Sequence, residues 1–179
     1  MDIKQHKNLL RKQMRDLKRS ISFEQREGAS VAALAKVEAH PRFKQATVVL
    51  LYHSLPDEVN THEFVSKWSR SKQVLLPVVK DDELELYRYA GDESLVVGSF
   101  GIWEPVGESF KEWEKIEFAL IPGMAFDREK HRLGRGKGYY DRLLPHLKAY
   151  KVGLCFQFQL LPSVPCESFD CLVDEVLTD

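Results

Sequence analysis

The residues with the clearest chemical potential lie in the segment 132–141, which reads Arg-Leu-Gly-Arg-Gly-Lys-Gly-Tyr-Tyr-Asp and is called the phosphate loop below. Its three alternating glycines let the backbone approach an anion, while Arg132, Arg135 and Lys137 supply positive charge. An apolar helix is predicted to follow, and the first amides of a helix donate readily to phosphate oxygens. Asp141 falls in the first turn of that helix, where a carboxylate could meet the magnesium ion of a nucleotide. The pattern therefore predicts a nucleotide phosphate site.

Two familiar phosphate-binding motifs do not match this spacing. A Walker motif requires Ser or Thr after its lysine, but Gly138 follows Lys137, and the first Walker glycine would fall at His131. A dinucleotide fingerprint requires Gly-x-Gly-x-x-Gly early in a βαβ unit, whereas this segment reads Gly-x-Gly-x-Gly late in the chain. The alternative interpretation is a flexible, charged surface loop. The helix start at 139–141 favours the phosphate site over that alternative.

Further motifs make the sequence resemble one enzyme family. The segment 122–127, Pro-Gly-Met-Ala-Phe-Asp, together with the phosphate loop, closely resembles the signature of the 5-formyltetrahydrofolate cyclo-ligases, also called methenyltetrahydrofolate synthetases. Shorter matches follow the family order along nearly the whole chain: Lys-x-x-Leu-Arg at 7–11, Asp-Glu at 57–58, Gly-Ile-Trp-Glu-Pro at 101–105 and Val-Asp-Glu-Val at 173–176.

The resemblance implies a reaction in which ATP and 5-formyltetrahydrofolate give 5,10-methenyltetrahydrofolate, ADP and phosphate. A formamide oxygen is a poor leaving group, so the formyl oxygen would first attack the γ-phosphorus to form an imidate phosphate, whose carbon N10 then attacks. Phosphoryl transfer demands alignment and dispersal of charge, and Arg135 and Lys137 are therefore predicted to be catalytic. The attacking amide oxygen carries no proton, so no histidine is assigned as a base for this first step.

The resemblance also implies the binding residues. The predicted ATP site consists of Lys7, Arg11, Arg132, Leu133, Gly134, Arg135, Gly136, Lys137, Gly138, Tyr139 and Tyr140. The predicted folate site consists of His53, Glu58, Trp103, Arg135, Gly136, Lys137, Gly138 and Tyr139. The predicted magnesium ligands are Asp141 and Asp170, with Asp174 as a competing choice for the second.

Several of these residues have a purely structural alternative. Taken alone, Lys7 and Arg11 would form a solvated helical face. Glu58 would be a loop carboxylate in water, and Trp103 would be a core aromatic residue.

Hydrophobic periodicity predicts the helices that position these residues. An amphipathic first helix is predicted from Ile3, Leu10, Met14, Leu17 and Ile21. A second helix would begin with a capping box and turn three apolar residues to the core: Ser22 and Gln25, then Val31, Leu34 and Val37. A third is predicted after an Asn60 cap, and a fourth would bury Tyr140, Leu143, Leu144 and Leu147.

The strands are predicted from runs of apolar, often β-branched residues. Buried strands are expected at 46–52, 73–79 and 116–122, and the last strands at 151–156 and 171–176. A half-exposed antiparallel strand is expected at 84–89. Strands and helices mostly alternate, which predicts a single three-layer α/β/α domain with a mostly parallel, mixed sheet.

Composition is consistent with this interpretation. The chain has 179 residues, 44% of them hydrophobic and 30% charged, and its net charge of -1 predicts no nucleic-acid or membrane partner. The amino terminus lacks a secretory pattern, so we expect a cytoplasmic protein. Cys155, Cys166 and Cys171 lack paired-thiol or zinc spacing and are expected to be reduced. The expected partners are ATP and 5-formyltetrahydrofolate, with or without a polyglutamate tail, and the expected state is a monomer.

Two other functions stay open on the residues alone. The alternating architecture and the anion loop would also suit a sugar-phosphate isomerase-like protein or another phosphate-ligand protein. The basic first helix could contact nucleic acid, although the near-neutral total charge weighs against it.

Overall fold

The computed structural model describes residues 2–98 and 101–179, in which three α-helices precede the first strand and two more lie between strands. The α-helices are α1 (Ile3–Ser20), α2 (Phe23–Ala39), α3 (Pro41–Gln45), α4 (His62–Trp68) and α5 (Tyr139–Leu143). The strands are β1 (Val48–Leu50), β2 (Gln73–Lys80), β3 (Glu83–Arg88), β4 (Leu95–Val97), β5 (Trp103–Pro105), β6 (Phe118–Pro122), β7 (Ala125–Asp127), β8 (Arg132–Leu133), β9 (Tyr150–Leu154), β10 (Leu160–Leu161) and β11 (Glu175–Leu177).

A six-stranded sheet forms the centre of the molecule, with the strand order β11-β9-β6-β1-β2-β3. Every pairing in this sheet is parallel except the antiparallel pairing of β2 with β3. The strands are rich in Val, Leu and Ile because a parallel sheet is covered on both faces. The prediction of a mostly parallel, mixed sheet in an α/β protein is confirmed.

Helices cover both faces of this sheet. Successive strand residues point to opposite faces, so Val49 packs with α2, α3 and α4, whereas Leu50 packs with α5 and the 3-10 turn after it. That turn includes Pro145, which has no N–H to continue α5. None of the helices in the described part of the chain is long and apolar enough to cross a membrane.

Two smaller sheets flank the centre. One has the order β10-β7-β8 and packs through Met124 and Leu133 against Leu10 and Met14 of α1. The other is the antiparallel pair of β4 and β5. The first of these sheets places α1 beside the phosphate loop, because β8 forms the beginning of that loop.

The buried face of α1 differs from the predicted apolar stripe. Leu10 and Met14 are buried as expected, but Leu17 is 38% exposed, and the buried face is completed by Lys7 and Lys18. Lysine can take such positions because its stem is apolar and its ammonium finds a carboxylate partner here. The prediction for Val31 of α2 was also wrong, since its side chain is 70% exposed.

The helix boundaries also differ in detail. Ser22 and Gln25 do form the predicted capping box of α2. The cap of α4 is Thr61 rather than Asn60. The amide of Asn60 instead donates to both carboxylate oxygens of Glu27 at 3.2 Å, a contact between distant segments that local spacing does not reveal.

Candidate active site

A cavity of about 380 Å³ lies at the carboxyl ends of the parallel strands β1 and β6. Its wall includes His53 and Glu58 from the segment after β1, and Arg135 and Lys137 from the phosphate loop. This edge of an open α/β sheet is the usual place for ligands. The fold therefore brings the two predicted sites together, although Glu58 and Arg135 are 77 residues apart in the sequence.

The phosphate loop turns sharply at two glycines. Gly136 has a φ of 104° and Gly138 a φ of 74°, values that side-chain-bearing residues rarely adopt. Gly138 is also the N-cap of α5. Arg11 of α1 packs against the same turn, and its Nε donates to the carbonyl oxygen of Gly134 at 2.9 Å. Arg11 thus lies beside the loop without entering the cavity wall.

Arg135 joins the phosphate loop to the segment after β1. Its Nη2 lies 2.5 Å from Asp57 Oδ1 and 3.0 Å from Glu58 Oε1. Burial lowers the pKa of the Arg135 guanidinium, but the two carboxylates outweigh burial and leave that pKa raised. The other carboxylate oxygen of Glu58 accepts from the Leu55 amide at 3.0 Å. Glu58 is therefore held by groups on both sides of the cavity.

Asp57 has a second cationic partner in Lys18, whose Nζ lies 3.3 Å from Asp57 Oδ2. Burial raises the pKa of Asp57, but Lys18 and Arg135 outweigh it, so that pKa is lowered. Lys18 is 2% exposed, and its burial lowers the pKa of its ammonium despite the nearby carboxylates. The ion pairs thus connect α1, the segment after β1 and the phosphate loop.

The other two cations of the phosphate loop differ in their contacts. Arg132 donates to Asp141 at 2.7 Å and to the carbonyl oxygen of Pro122 at 3.3 Å. Its Nε is buried and has no hydrogen-bond partner within residues 2–98 and 101–179, so the protein alone leaves one donor of this guanidinium unpaired. The ammonium of Lys137 is exposed and forms no ion pair with any described residue. Both features suit the binding of an anion.

Lys7 and Asp170, two further predicted site residues, form an ion pair outside the cavity. Lys7 Nζ lies 2.5 Å from Asp170 Oδ2 and 2.8 Å from Glu167 Oε2. Burial lowers the pKa of Lys7, but the hydrogen bonds to Asp170 and Glu167 outweigh it, and the pKa is raised. This pair joins α1 to the segment before β11.

The residues suited to magnesium are carboxylates on two segments. Within the described ranges, no cluster of three or more His, Cys, Asp or Glu side chains could hold a metal by itself. Asp141 and Asp170 both act electrostatically on Arg11, so they lie in one region, whereas Asp174 accepts from the Lys151 amide at 2.7 Å. Magnesium usually combines one or two carboxylates with phosphate oxygens and water, a donor set that Asp141 fits when a nucleotide is present.

His53 lies in the cavity wall as an imidazole that stays neutral at physiological pH. Its ring stacks on His62 with centroids 3.7 Å apart. Burial, followed by repulsion from His62, lowers the pKa of His53 from 6.5 to about 4. His53 can therefore pack against a flat ring without adding a positive charge to the cavity.

The lowered pKa of His53 predicts a pH dependence of stability. The folded state disfavours the charged ring, so the stability gained from the neutral form is present above pH 6.5 and is lost as the pH falls towards 4. We replace His53 with phenylalanine, which keeps a stacking ring. Between pH 7 and pH 5, the free energy of unfolding should fall less in His53→Phe than in the unmodified protein. Urea denaturation at the two pH values measures this, and parallel losses in both proteins would contradict it.

Some predicted residues lie outside the cavity wall, although the structure describes all of them. These are Lys7, Arg11, Trp103, Leu133, Gly136 and Asp170. Trp103 is 47% exposed, while its neighbours Ile102 and Glu104 line the cavity. The alternation of β5 therefore turns the indole away from the wall that Glu104 faces.

Other wall residues were not predicted from the sequence. Tyr52 is one, and its buried hydroxyl has no hydrogen-bond partner in the described part of the chain. Glu104 is another, although it belongs to the motif 101–105. A charged residue in a strand next to Pro105 was the available signal, but the sequence does not tell which face of that strand is covered.

Comparisons with known proteins agree with the resemblance noted above. The profile of the 5-formyltetrahydrofolate cyclo-ligase family matches residues 3–179. A mouse 5-formyltetrahydrofolate cyclo-ligase is 29% identical over 184 residues, covering 94% of this chain and 91% of its own. One from Haemophilus influenzae is 32% identical over 143 residues, covering 75% and 76% of the two chains.

A solved structure supports the same relation. The NMR structure of 5,10-methenyltetrahydrofolate synthetase from Aquifex aeolicus superposes with a TM-score of 0.86 at 38% identity, covering 96% of this chain and 88% of its own. These matches favour a ligase over the sugar-phosphate isomerase-like alternative.

Proposed function

Because the chain belongs to the 5-formyltetrahydrofolate cyclo-ligase family, we propose that it converts 5-formyltetrahydrofolate and ATP into 5,10-methenyltetrahydrofolate, ADP and phosphate. The observation that supports this most directly is the shared cavity. A carboxylate suited to a donor-rich pterin, Glu58, and the cationic phosphate loop line one space of about 380 Å³. That volume is in the usual range for a small-molecule site.

In the proposed first step, the formyl oxygen attacks the γ-phosphorus of ATP and ADP departs. Arg132, Arg135 and Lys137 would disperse the charge on the phosphate oxygens, and Lys7 and Arg11 would approach from α1. Three of these cations are paired with carboxylates in the protein alone. The phosphates would therefore compete with these carboxylates for the cations. Magnesium, when bound beside Asp141 and Asp170, would supply further charge compensation.

The folate would occupy the part of the cavity formed by the segment after β1. A pterin ring presents an amino group and a ring N–H as neighbouring donors, and the carboxylate of Glu58 can accept both. His53 would contact the ring as a neutral imidazole. Contacts of Tyr139 and Trp103 with the substrate remain predictions. Trp103 does not line the cavity, so its side chain would have to move towards the cavity to reach the substrate.

The experiment that tests the function mixes purified protein with magnesium-ATP and 5-formyltetrahydrofolate. We expect the methenyl chromophore and ADP to appear in equal amounts, and neither to form when one substrate is omitted. A methenyl product formed without ATP, or ADP formed without methenyl, would overturn the proposed reaction. Sugar phosphates should give no protection against thermal unfolding, whereas magnesium-ATP should raise the melting temperature.

Asp141→Asn tests the proposed magnesium ligand. We expect the magnesium concentration for half-maximal activity to rise at least about tenfold, because an amide replaces a charged oxygen donor. The magnesium titration is the measurement, since the variant also removes the partner of Arg132 and could lower activity at every metal concentration. Asp16→Asn, at an exposed carboxylate of α1, is the matched control. An unchanged titration would remove Asp141 from the metal site.

A further inference from the structure

Glu104 is a buried carboxylate in the cavity wall to which neither predicted site assigns a role. It is 7% exposed and lies on β5. Its Oε1 accepts from the Val79 amide at 3.3 Å, and no cation of the described residues pairs with it. A Cβ atom at position 98 would lie 1.9 Å from Glu104 Oε2. Gly98, which has no Cβ, therefore leaves room for this carboxyl group.

The other carboxylates of the wall have cationic partners. Glu58 pairs with Arg135, and Asp141 pairs with Arg132. An ionised carboxylate without a cation is costly to bury, because one long hydrogen bond does not replace its hydration. Glu104 is thus a carboxyl group in the wall with no cationic partner among the described residues, and a ligand in the cavity can provide that partner.

The second step of the proposed reaction creates such a partner. N10 carries a hydrogen when it attacks the carbon of the imidate phosphate. The N10–C bond forms, the C–O bond breaks and inorganic phosphate leaves with the former formyl oxygen. N10 must then release its proton, and the product keeps a positive charge shared between N5 and N10. This step therefore needs a proton acceptor close to N10, where the positive charge lies before the proton leaves.

We propose that Glu104 is the general base of this cyclisation and accepts the N10 proton as phosphate departs. The proposal rests on the proposed function, because it assigns a residue to its second step. Glu58 and Asp141 are less suited to the role, since each is held by an arginine and has a binding task of its own. After product release, Glu104 passes the proton to water. The hydrogen bond from Val79 fixes the carboxylate on the rigid strand β2.

The test follows both steps in one turnover of Glu104→Gln with enzyme in excess. The amide keeps the shape of the side chain and can still accept from Val79, so we expect ADP to form within about threefold of the unmodified rate. The methenyl chromophore should form about 10²-fold to 10⁴-fold more slowly, the usual contribution of a general base. Glu104→Asp, which keeps a carboxylate, should show a much shorter delay. Glu108→Gln, at an exposed acid after β5, should show none.

The outcomes separate this proposal from the proposed function. If ADP and methenyl formation slow by the same factor in Glu104→Gln, or if neither slows, Glu104 is not the base. Equal delays in Glu104→Gln and Glu104→Asp would also overturn it, because a carboxylate would then be no better than an amide. Absence of both ADP and methenyl from the unmodified protein would instead reject the underlying reaction.

Discussion

Replacing Lys137 with alanine is expected to lower kcat by about 10²-fold to 10³-fold, the usual effect of removing one group that stabilises charge in a transition state. The ammonium is exposed and has no ion pair in the described part of the chain, so its removal breaks no contact that supports the fold. The free energy of unfolding should therefore stay within about 0.5 kcal/mol of the unmodified value. Methenyl absorbance and urea denaturation measure the two quantities.

Lys148→Ala is the matched control, because Lys148 is also exposed and follows α5 outside the cavity wall. It should keep full activity. If Lys137→Ala keeps more than a third of the kcat, the phosphate loop does not act through this lysine. Arg135 offers a less direct test, since its removal also releases Asp57 and Glu58 from their ion pairs.

Asp57→Asn is expected to lower the free energy of unfolding by about 2 kcal/mol, because it leaves the buried ammonium of Lys18 without its ion-pair partner. The value is placed below the range for fully buried pairs, since the Asp57 side chain is 33% exposed and partly screened by water. Lys18→Met should be neutral or stabilising, because methionine fills the buried site without a charge. Urea denaturation compares the variants, and a larger loss in Lys18→Met would contradict this account.

The same pair gives a pH dependence with a definite sign. Burial holds the pKa of folded Lys18 below the ordinary 10.5, so folding opposes its charged form. The free-energy cost of burying the charged ammonium is fully present below the pKa of Lys18 in the folded protein. It disappears as the pH rises towards 10.5. The stability advantage of Lys18→Met over the unmodified protein should therefore shrink between pH 7 and pH 10. A constant advantage would show that charge burial is not its source.

The ion pairs also explain how the protein without a ligand can hold several cations close together at this edge of the sheet. Lys18, Asp57, Arg135 and Glu58 alternate in sign across three segments of the chain. When phosphates draw Arg135 away, Lys18 would still compensate Asp57. Glu58 would then become available to a pterin. The same contacts that stabilise the protein alone can thus prepare it for its ligands.

Features that depend on neighbouring residues followed from the sequence by itself. The capping box of Ser22 and Gln25 forms because both partners lie within one turn. Gly136 and Gly138 take positive φ values because the turn requires them. The predicted buried strands and amphipathic helices were sufficient to indicate an α/β protein with a mostly parallel sheet. The motif around the phosphate loop was specific enough to indicate the family, while the roles of individual site residues stay predictions.

Features that depend on contacts between distant segments were decided by the tertiary structure. The burial of Lys18 depends on Asp57, and the burial of Lys7 depends on Asp170, partners that no local spacing identifies. Glu104 lies in the cavity wall because of the way β5 packs against β2. Successive side chains of a strand point to opposite faces, but the sequence of the strand does not show which face is covered. Local sequence fixes backbone conformation through short-range sterics and hydrogen bonds. Burial and charge pairing are set only when the folded chain brings remote side chains together.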